Sequence, residues 1–408
     1  MTLAAYLRST SLLASALAGV LLCGQGGQAR AQDEQMRLVS TIDVGGNGLG
    51  SFDISYVDPT IDLYVLADRT NASVDFFDAS DATFTGRVTG FRGAQATTSI
   101  SGPNGVVVVD HKEVWAGDGD STVKVIDIAT FQITDSISTN GKFRADEVSY
   151  DPVDHILAAA NNADTPPFLT FIDTNTHAVL KQIVFDGTNG TPNALGGLEQ
   201  SQYSPKTGLF YISVPQIGSD TTLGGLTAID PHTFQVVSTF PVSYCTPAGL
   251  ALGPKKQALL GCSASFGTAP NVLTQSVVIS LVNGNILANI TQVGGSDEVW
   301  FDPGSGHYYL GARNNEDSSG TIVPVLGTID AVSNVADANT PTSVSAHSVA
   351  ADRISLHVFV PIGFPAPGVS DPTNPCPVVS RGCIAVYLPS SIDDDDTATR
   401  QSRLQAKR

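Results

Sequence analysis

The feature that most constrains this chain is a unit of about fifty residues that recurs along nearly its whole length. Its clearest landmark is a short apolar run that usually ends in aspartate. The run reads Val74-Asp-Phe-Phe-Asp78, Val123-Lys-Val-Ile-Asp127, Leu169-Thr-Phe-Ile-Asp173, Leu226-Thr-Ala-Ile-Asp230, Val277-Val-Ile-Ser-Leu281, Leu326-Gly-Thr-Ile-Asp330 and Cys383-Ile-Ala-Val-Tyr387. Its ends are spaced by 49, 46, 57, 51, 49 and 57 residues. A unit this small cannot bury its own apolar face. Seven copies therefore pack on one another, as a propeller or a solenoid, rather than folding as independent domains.

A second landmark lies upstream in each unit: a strand, a turn that often holds Asp-Pro, and another strand. Examples are Val148-Ser-Tyr-Asp-Pro152 before Ile156, Val299-Trp-Phe-Asp-Pro303 before Tyr308, and Ile54-Ser-Tyr-Val-Asp-Pro59 before Leu63. Proline fixes φ and has no N–H, so it ends one strand and starts the reversal. Each unit then reads as four strands, A to D, which is one propeller blade. The fold class predicted is all-β, a seven-bladed β-propeller of four-stranded blades. The last copy lacks a fourth strand. Residues 37–44, Arg-Leu-Val-Ser-Thr-Ile-Asp-Val, supply it from the other end of the chain. Their pairing closes the ring and removes an exposed sheet edge.

The 408 residues are 42% hydrophobic and 15% charged, enough apolar material for one large closed domain. The net charge of −18 repels phosphate backbones and anionic lipid, so nucleic acid is not an expected partner. At the N-terminus, Arg8 precedes an apolar stretch from Ser11 to Cys23, and Ala29-Arg30-Ala31 offers a cleavage site. The organisation predicted is a signal peptide over 1–31, the propeller over 32–390 and a disordered tail over 391–408. No membrane span is expected, because the apolar stretch is too short. The location expected is secreted or periplasmic. Cleavage leaves four cysteines, and these allow three connectivities. Pairing of Cys245 with Cys262 across a hairpin, and of Cys376 with Cys383 across a short loop, is the expectation.

In a propeller, strand A lines the central channel, and the residues entering it lie at one mouth. In blade order they are Phe52-Asp53, Pro103-Asn104-Gly105, Asp146-Glu147, Glu199-Gln200, Pro247-Ala248-Gly249, Asp297-Glu298 and His347-Ser348. So many carboxylates in register point to a shared site. Oxygen ligands suit a divalent cation (Ca, Mg or Zn), with Glu147, Glu298 and Asn104 as the candidate ligands. His347 and Glu199 are candidate bases. Asp53, Arg69, Asn104, Arg144, Asn161 and Arg313 are candidate binding residues near that mouth. The competing role for such side chains is to hydrogen-bond channel water and neighbouring backbone.

The pattern V-I-D-x-x-T followed by a distant Ile, at Val125–Ile137 and in variant form at Phe171–Ile183, resembles the YVTN/YncE-like propellers. That resemblance covers essentially the whole mature chain. It implies the propeller fold, export and a binding role. Pro103-Asn104-Gly105 and Asp297-Glu298-Val-Trp300 are more loosely similar to motifs of the gluconolactonase/regucalcin-like propellers. Those implied motifs place a divalent cation at the channel mouth for lactone hydrolysis; the Asp-Gly motif of that family has no counterpart here. Two functions follow as expectations: an exported propeller that binds a small molecule or protein partner at the mouth, or a metal-dependent hydrolase or lyase. A haem or quinone propeller fits less well, with no C-x-x-C-H and two tryptophans.

Overall fold

The computed structural model describes residues 35–266 and 272–392. The expected signal peptide and the Asp393–Asp396 run lie outside the described residues. Seven antiparallel sheets follow one another along the chain. Strand A of each blade is Ser55–Asp58, Val106–Val109, Val148–Asp151, Ser201–Ser204, Pro247–Leu252, Val299–Asp302 and Ala350–Ala351. Each A strand contacts the A strands of the blades before and after it, and the seventh contacts the first, so the sheets close around one axis. Blade 6 has an added piece: Val335–Ala336 and Thr340–Pro341 both pair with its strand C, Val325–Asp330. Among the described residues the only helical segments are three 3-10 turns.

Ring closure follows the sequence expectation. The N-terminal strand Met36–Ile42 pairs antiparallel with Cys383–Pro389, placing Met36 opposite Pro389 and Ile42 opposite Ile384. It forms the outer strand of the seventh blade, whose other strands come from the end of the propeller. Both disulfides also form as expected, Cys245–Cys262 and Cys376–Cys383. No helix among the described residues is long and apolar enough to cross a membrane.

The core is divided into seven apolar clusters, one at each interface between blades. Blade 2 shows why the landmark runs are apolar throughout rather than alternating. Val125 faces one neighbour and Ile126 the other, and both are fully buried. A sheet covered on both faces needs apolar residues at successive positions. The terminal aspartates have a local cause. Asp127 Oδ1 accepts the backbone N–H and the hydroxyl of Thr130, each at 2.7 Å, across the C–D turn. Asp330 does the same for Ser333 at 2.6 Å. The D-x-x-T/S pattern is thus a side-chain cap that replaces missing ladder bonds. Asp151 and Asp302 cap the A–B turns in the same way, bonding Val153 and Gly304.

Candidate functional site: an acidic mouth of the channel

The residues entering strand A are held in common register by the backbone. Asp53, Asn104, Asp146 and Glu199 each donate their N–H to the last part of strand B, at Ala67, Gly117, Ala160 and Ser213, over 2.7–3.0 Å. This frame presents their side chains at one end of the channel. There they border a cavity of about 440 Å³. Asp53, Glu147, Glu199, Glu298 and His347 all line it, as do Arg69, Arg144 and Arg313. Asn104 and Asn161 stand behind the wall.

Three carboxylates carry their own guanidinium. Arg69 pairs with Asp53, Arg144 Nη2 lies 2.7 Å from Asp146, and Arg313 Nη2 lies 2.8 Å from Asp297. Burial opposes the charge of Asp53, but Arg69, with His347 and Arg144, overcomes it and holds that carboxyl well below its usual value. Asp146 is pushed up to about 6 by burial, which Arg144 only partly offsets. Burial works against the charge of Arg144 too, yet Asp146, Asp53 and Glu199 raise its proton affinity above the ordinary range.

Among the described residues the three glutamates have no direct ion pair, although Arg144 attracts Glu199 from a distance. Glu147 and Glu298 are about 95% buried, at 4% and 5% exposure. Burial, then the nearby acids, pushes both well above the usual carboxylate range; for Glu147 the next cause is Glu298, for Glu298 it is Asp297. Glu199 is half-buried and raised by desolvation in the pocket and by Asp146 and Asp297. Glu298 Oε2 is buried without a hydrogen-bond donor, and so is Asp146 Oδ1. The side-chain neighbour of Glu298 is another acid, Glu147. Like charges this close need a shared proton or a cation between them. Oxygens of Asp146, Glu147 and Glu199 lie within 4.8 Å of one another, a spacing that suits one metal ion.

The remaining side chains position this set. Asn104 accepts from Arg69 Nη2 at 2.6 Å and donates to the Ala145 carbonyl at 2.8 Å, so both ends of its amide are engaged. Asn161 donates to the carbonyls of Phe143 and Arg144, each at 3.2 Å, and steadies the backbone that carries Arg144. His347 lies stacked on Phe52, with ring centroids 4.4 Å apart. Its Nδ1 lies 2.8 Å from the Ser345 carbonyl, which can only accept. That contact puts a proton on Nδ1 and leaves Nε2 toward the pocket, 3.8 Å from Asp53.

Asp146 and Asp297 complete the arrangement and were not singled out by sequence reasoning, which chose the glutamate of each Asp-Glu pair. A signal for them exists. Pro103-Asn-Gly105 precedes Asp146-Glu-Val148 by one blade, and Pro247-Ala-Gly249 precedes Asp297-Glu-Val299 by one blade. A Cβ on Gly105 would overlap the Asp146 carbonyl, and one on Gly249 would lie 2.7 Å from the Asp297 carbonyl. The glycine of one blade thus lets the Asp-Glu pair of the next press toward the axis.

No protein-family model and no curated protein matches the chain. Among solved structures it is similar to a chain of Kuenenia stuttgartiensis hydrazine synthase. The match has 17% sequence identity and a TM-score of 0.59, and it covers 78% of this chain and 94% of that one. A likeness at that identity speaks for the propeller fold.

Proposed function

We propose that this protein is an exported propeller that binds a divalent cation, and with it a small oxygen-rich molecule, at the acidic mouth of its channel. The observation that carries the reading is the imbalance of charge in the cavity. The aspartates each have an arginine, whereas among the described residues Glu147, Glu199 and Glu298 have no direct ion pair. A cation among those carboxylates relieves their repulsion and gives Glu298 Oε2 a partner. Hard carboxylate oxygens favour Ca²⁺ or Mg²⁺ over metals that seek nitrogen or sulfur. Arg313 is half-exposed and ion-paired to Asp297, so its remaining N–H groups are placed to receive an anionic group on the ligand. The V-I-D-x-x-T blades support a place among YVTN/YncE-like propellers. The two disulfides support an oxidising compartment, outside the cytoplasm.

A lactonase-like hydrolase is the second reading, and His347 favours it. With Nδ1 tied to Ser345, Nε2 faces the cavity beside Asp53 and is the ring nitrogen placed to meet a water there. Glu147 and Glu298 would hold the cation that polarises the substrate, with Asn104 acting from behind through Arg69.

Metal analysis of the purified full chain tests the first reading. One equivalent of Ca²⁺ or Mg²⁺, lost on Glu147→Gln/Glu298→Gln substitution with the fold retained, is the expected result. A protein that is metal-free and whose melting temperature ignores both EDTA and added Ca²⁺ or Mg²⁺ overturns it. Cation-dependent hydrolysis of simple lactones, lost in His347→Asn but with cation binding kept, would move the assignment to the second reading.

A further inference from the structure

A second cavity of about 410 Å³ occupies the other stretch of the channel and opens among the A–B turns. Its character differs from that of the mouth. Tyr56, Tyr150, Tyr203, Trp300 and Phe301 line it, and each is half-buried, with surface left to offer a ligand. Tyr56 and Trp300 meet edge to face, with centroids 5.4 Å apart and planes at 77°, which forms an aromatic corner. The hydroxyl of Tyr150 is already used, donating to Asp110 Oδ1 at 2.7 Å. That of Tyr203 is directed to Asp151. What Tyr150 and Tyr203 leave for a ligand is ring surface.

The charged groups of the chamber are one-sided. Asp58 and Asp110 stand at its open end and Glu147 at its deep end, while among the described residues no lysine or arginine lines it. Among the described residues His111 is the one basic side chain of the lining, 2.5 Å from Asp58 through Nδ1, and His155 reaches Asp110 from outside it at 3.4 Å. Donors for a sugar or an anion are scarce as well. Gln202 Oε1 accepts from Leu252, and the Gln200 amide is engaged with Leu250 and Val299. Aromatic surfaces together with carboxylates attract a cation with an apolar skin.

From these observations we infer that the aromatic chamber is a second binding site, and that it takes a small organic ammonium ion. The rings supply cation–π attraction and cover the alkyl groups, and the aspartates at the open end, Asp58 and Asp110, favour the positive charge. Glu147 borders both cavities, so the two sites share one wall. This inference does not depend on metal at the mouth.

Trp300 provides the test. The chain has two tryptophans, and the other, Trp115, is fully buried with its indole N–H bonded to Glu113. Tetramethylammonium chloride, titrated into the full chain at constant ionic strength against NaCl, should change the fluorescence saturably. Phe301→Leu, which keeps apolar bulk but removes the ring, should weaken binding about tenfold, and Tyr150→Leu by a similar factor. tert-Butanol, a neutral molecule of similar size, should bind at least about tenfold less tightly. Arg313→Met, which alters the mouth and does not line the chamber, should leave the titration unchanged. A linear response, equal binding of tert-butanol, or indifference to Phe301→Leu overturns the inference. A changed affinity in Arg313→Met also overturns it, because the cation would then be sitting at the mouth.

Discussion

The two Asp-Glu blades of the mouth, 3 and 6, are built alike but supported differently. Each follows a Pro-x-Gly blade and each aspartate holds an arginine. Beside blade 3, the neighbouring blade offers Asn104, which clamps Arg69 and the Ala145 carbonyl together. Beside blade 6, the equivalent residue is Ala248, which has no polar group, and a disulfide at Cys245–Cys262 braces that blade instead. The result shows in exposure: the Arg144 side chain that pairs with Asp146 of blade 3 is 15% accessible and Arg69, which Asn104 clamps beside it, 6%, whereas Arg313 of blade 6 is 36% accessible. One side of the mouth is a locked polar network and the other is an open ion pair. The same backbone register thus yields a fixed wall and an adaptable one, and a ligand is expected to enter over Arg313.

The largest effect that tests this contrast is loss of the buried arginine. Arg69→Met leaves Asp53 and Asn104 without their partner and should cost about 3–5 kcal/mol of stability. Arg313→Met should cost about 1 kcal/mol or less, because its pair is partly solvated. Denaturant unfolding of both variants makes the comparison; equal losses would dissolve the distinction between the walls.

Blade 5 is expected to depend on its disulfide as blade 2 depends on Asn104. Replacing Cys245 and Cys262 together by serine should cost about 2–4 kcal/mol, from the loop of 17 residues that they close. A smaller loss is expected at the glycines. Gly105→Ala and Gly249→Ala each force a neighbouring Asp carbonyl to move and should cost about 1–3 kcal/mol. Thermal melts read the stability, and cation titration shows whether the Asp-Glu pair has shifted. A neutral Gly249→Ala would mean that the blade gives way without disturbing the site.

The pH dependence reads the glutamates directly. Glu147, Glu199 and Glu298 have folded-state proton affinities raised above the usual 4.5. The native state then holds protons that the unfolded chain has released, so these groups lower stability as pH rises from about 4.5. Asp53 works in the opposite sense: its depressed value stabilises the fold above the usual 3.8, and this is lost as pH falls below it. In EDTA the stability of the wild type should therefore decline above about pH 4.5, by about 1 kcal/mol for each pH unit and each glutamate affected. Glu147→Gln/Glu298→Gln should flatten that decline, and so should added Ca²⁺. A flat profile in EDTA would show that Arg144 and its neighbours already neutralise the glutamates.

The number of blades, the seven strand-C landmarks, the residues entering strand A, the closing strand and both disulfides were legible in the sequence. They follow from local chemistry: apolar runs for sheets covered on both faces, Asp and Pro at turns, and an unpaired strand at each end. The acidic entry residues were legible for the same reason, since a repeat in register brings its equivalent positions to one mouth. What the sequence could not rank was partnership. Whether Asp146 or Glu147 meets Arg144, and whether Asn104 faces the cavity or holds Arg69, depends on side-chain directions set by contacts between blades tens of residues apart. The same holds for the aromatic chamber. Tyr56, Tyr150, Tyr203, Trp300 and Phe301 look like ordinary strand residues one blade at a time, and only closure of the ring brings their surfaces around a common space.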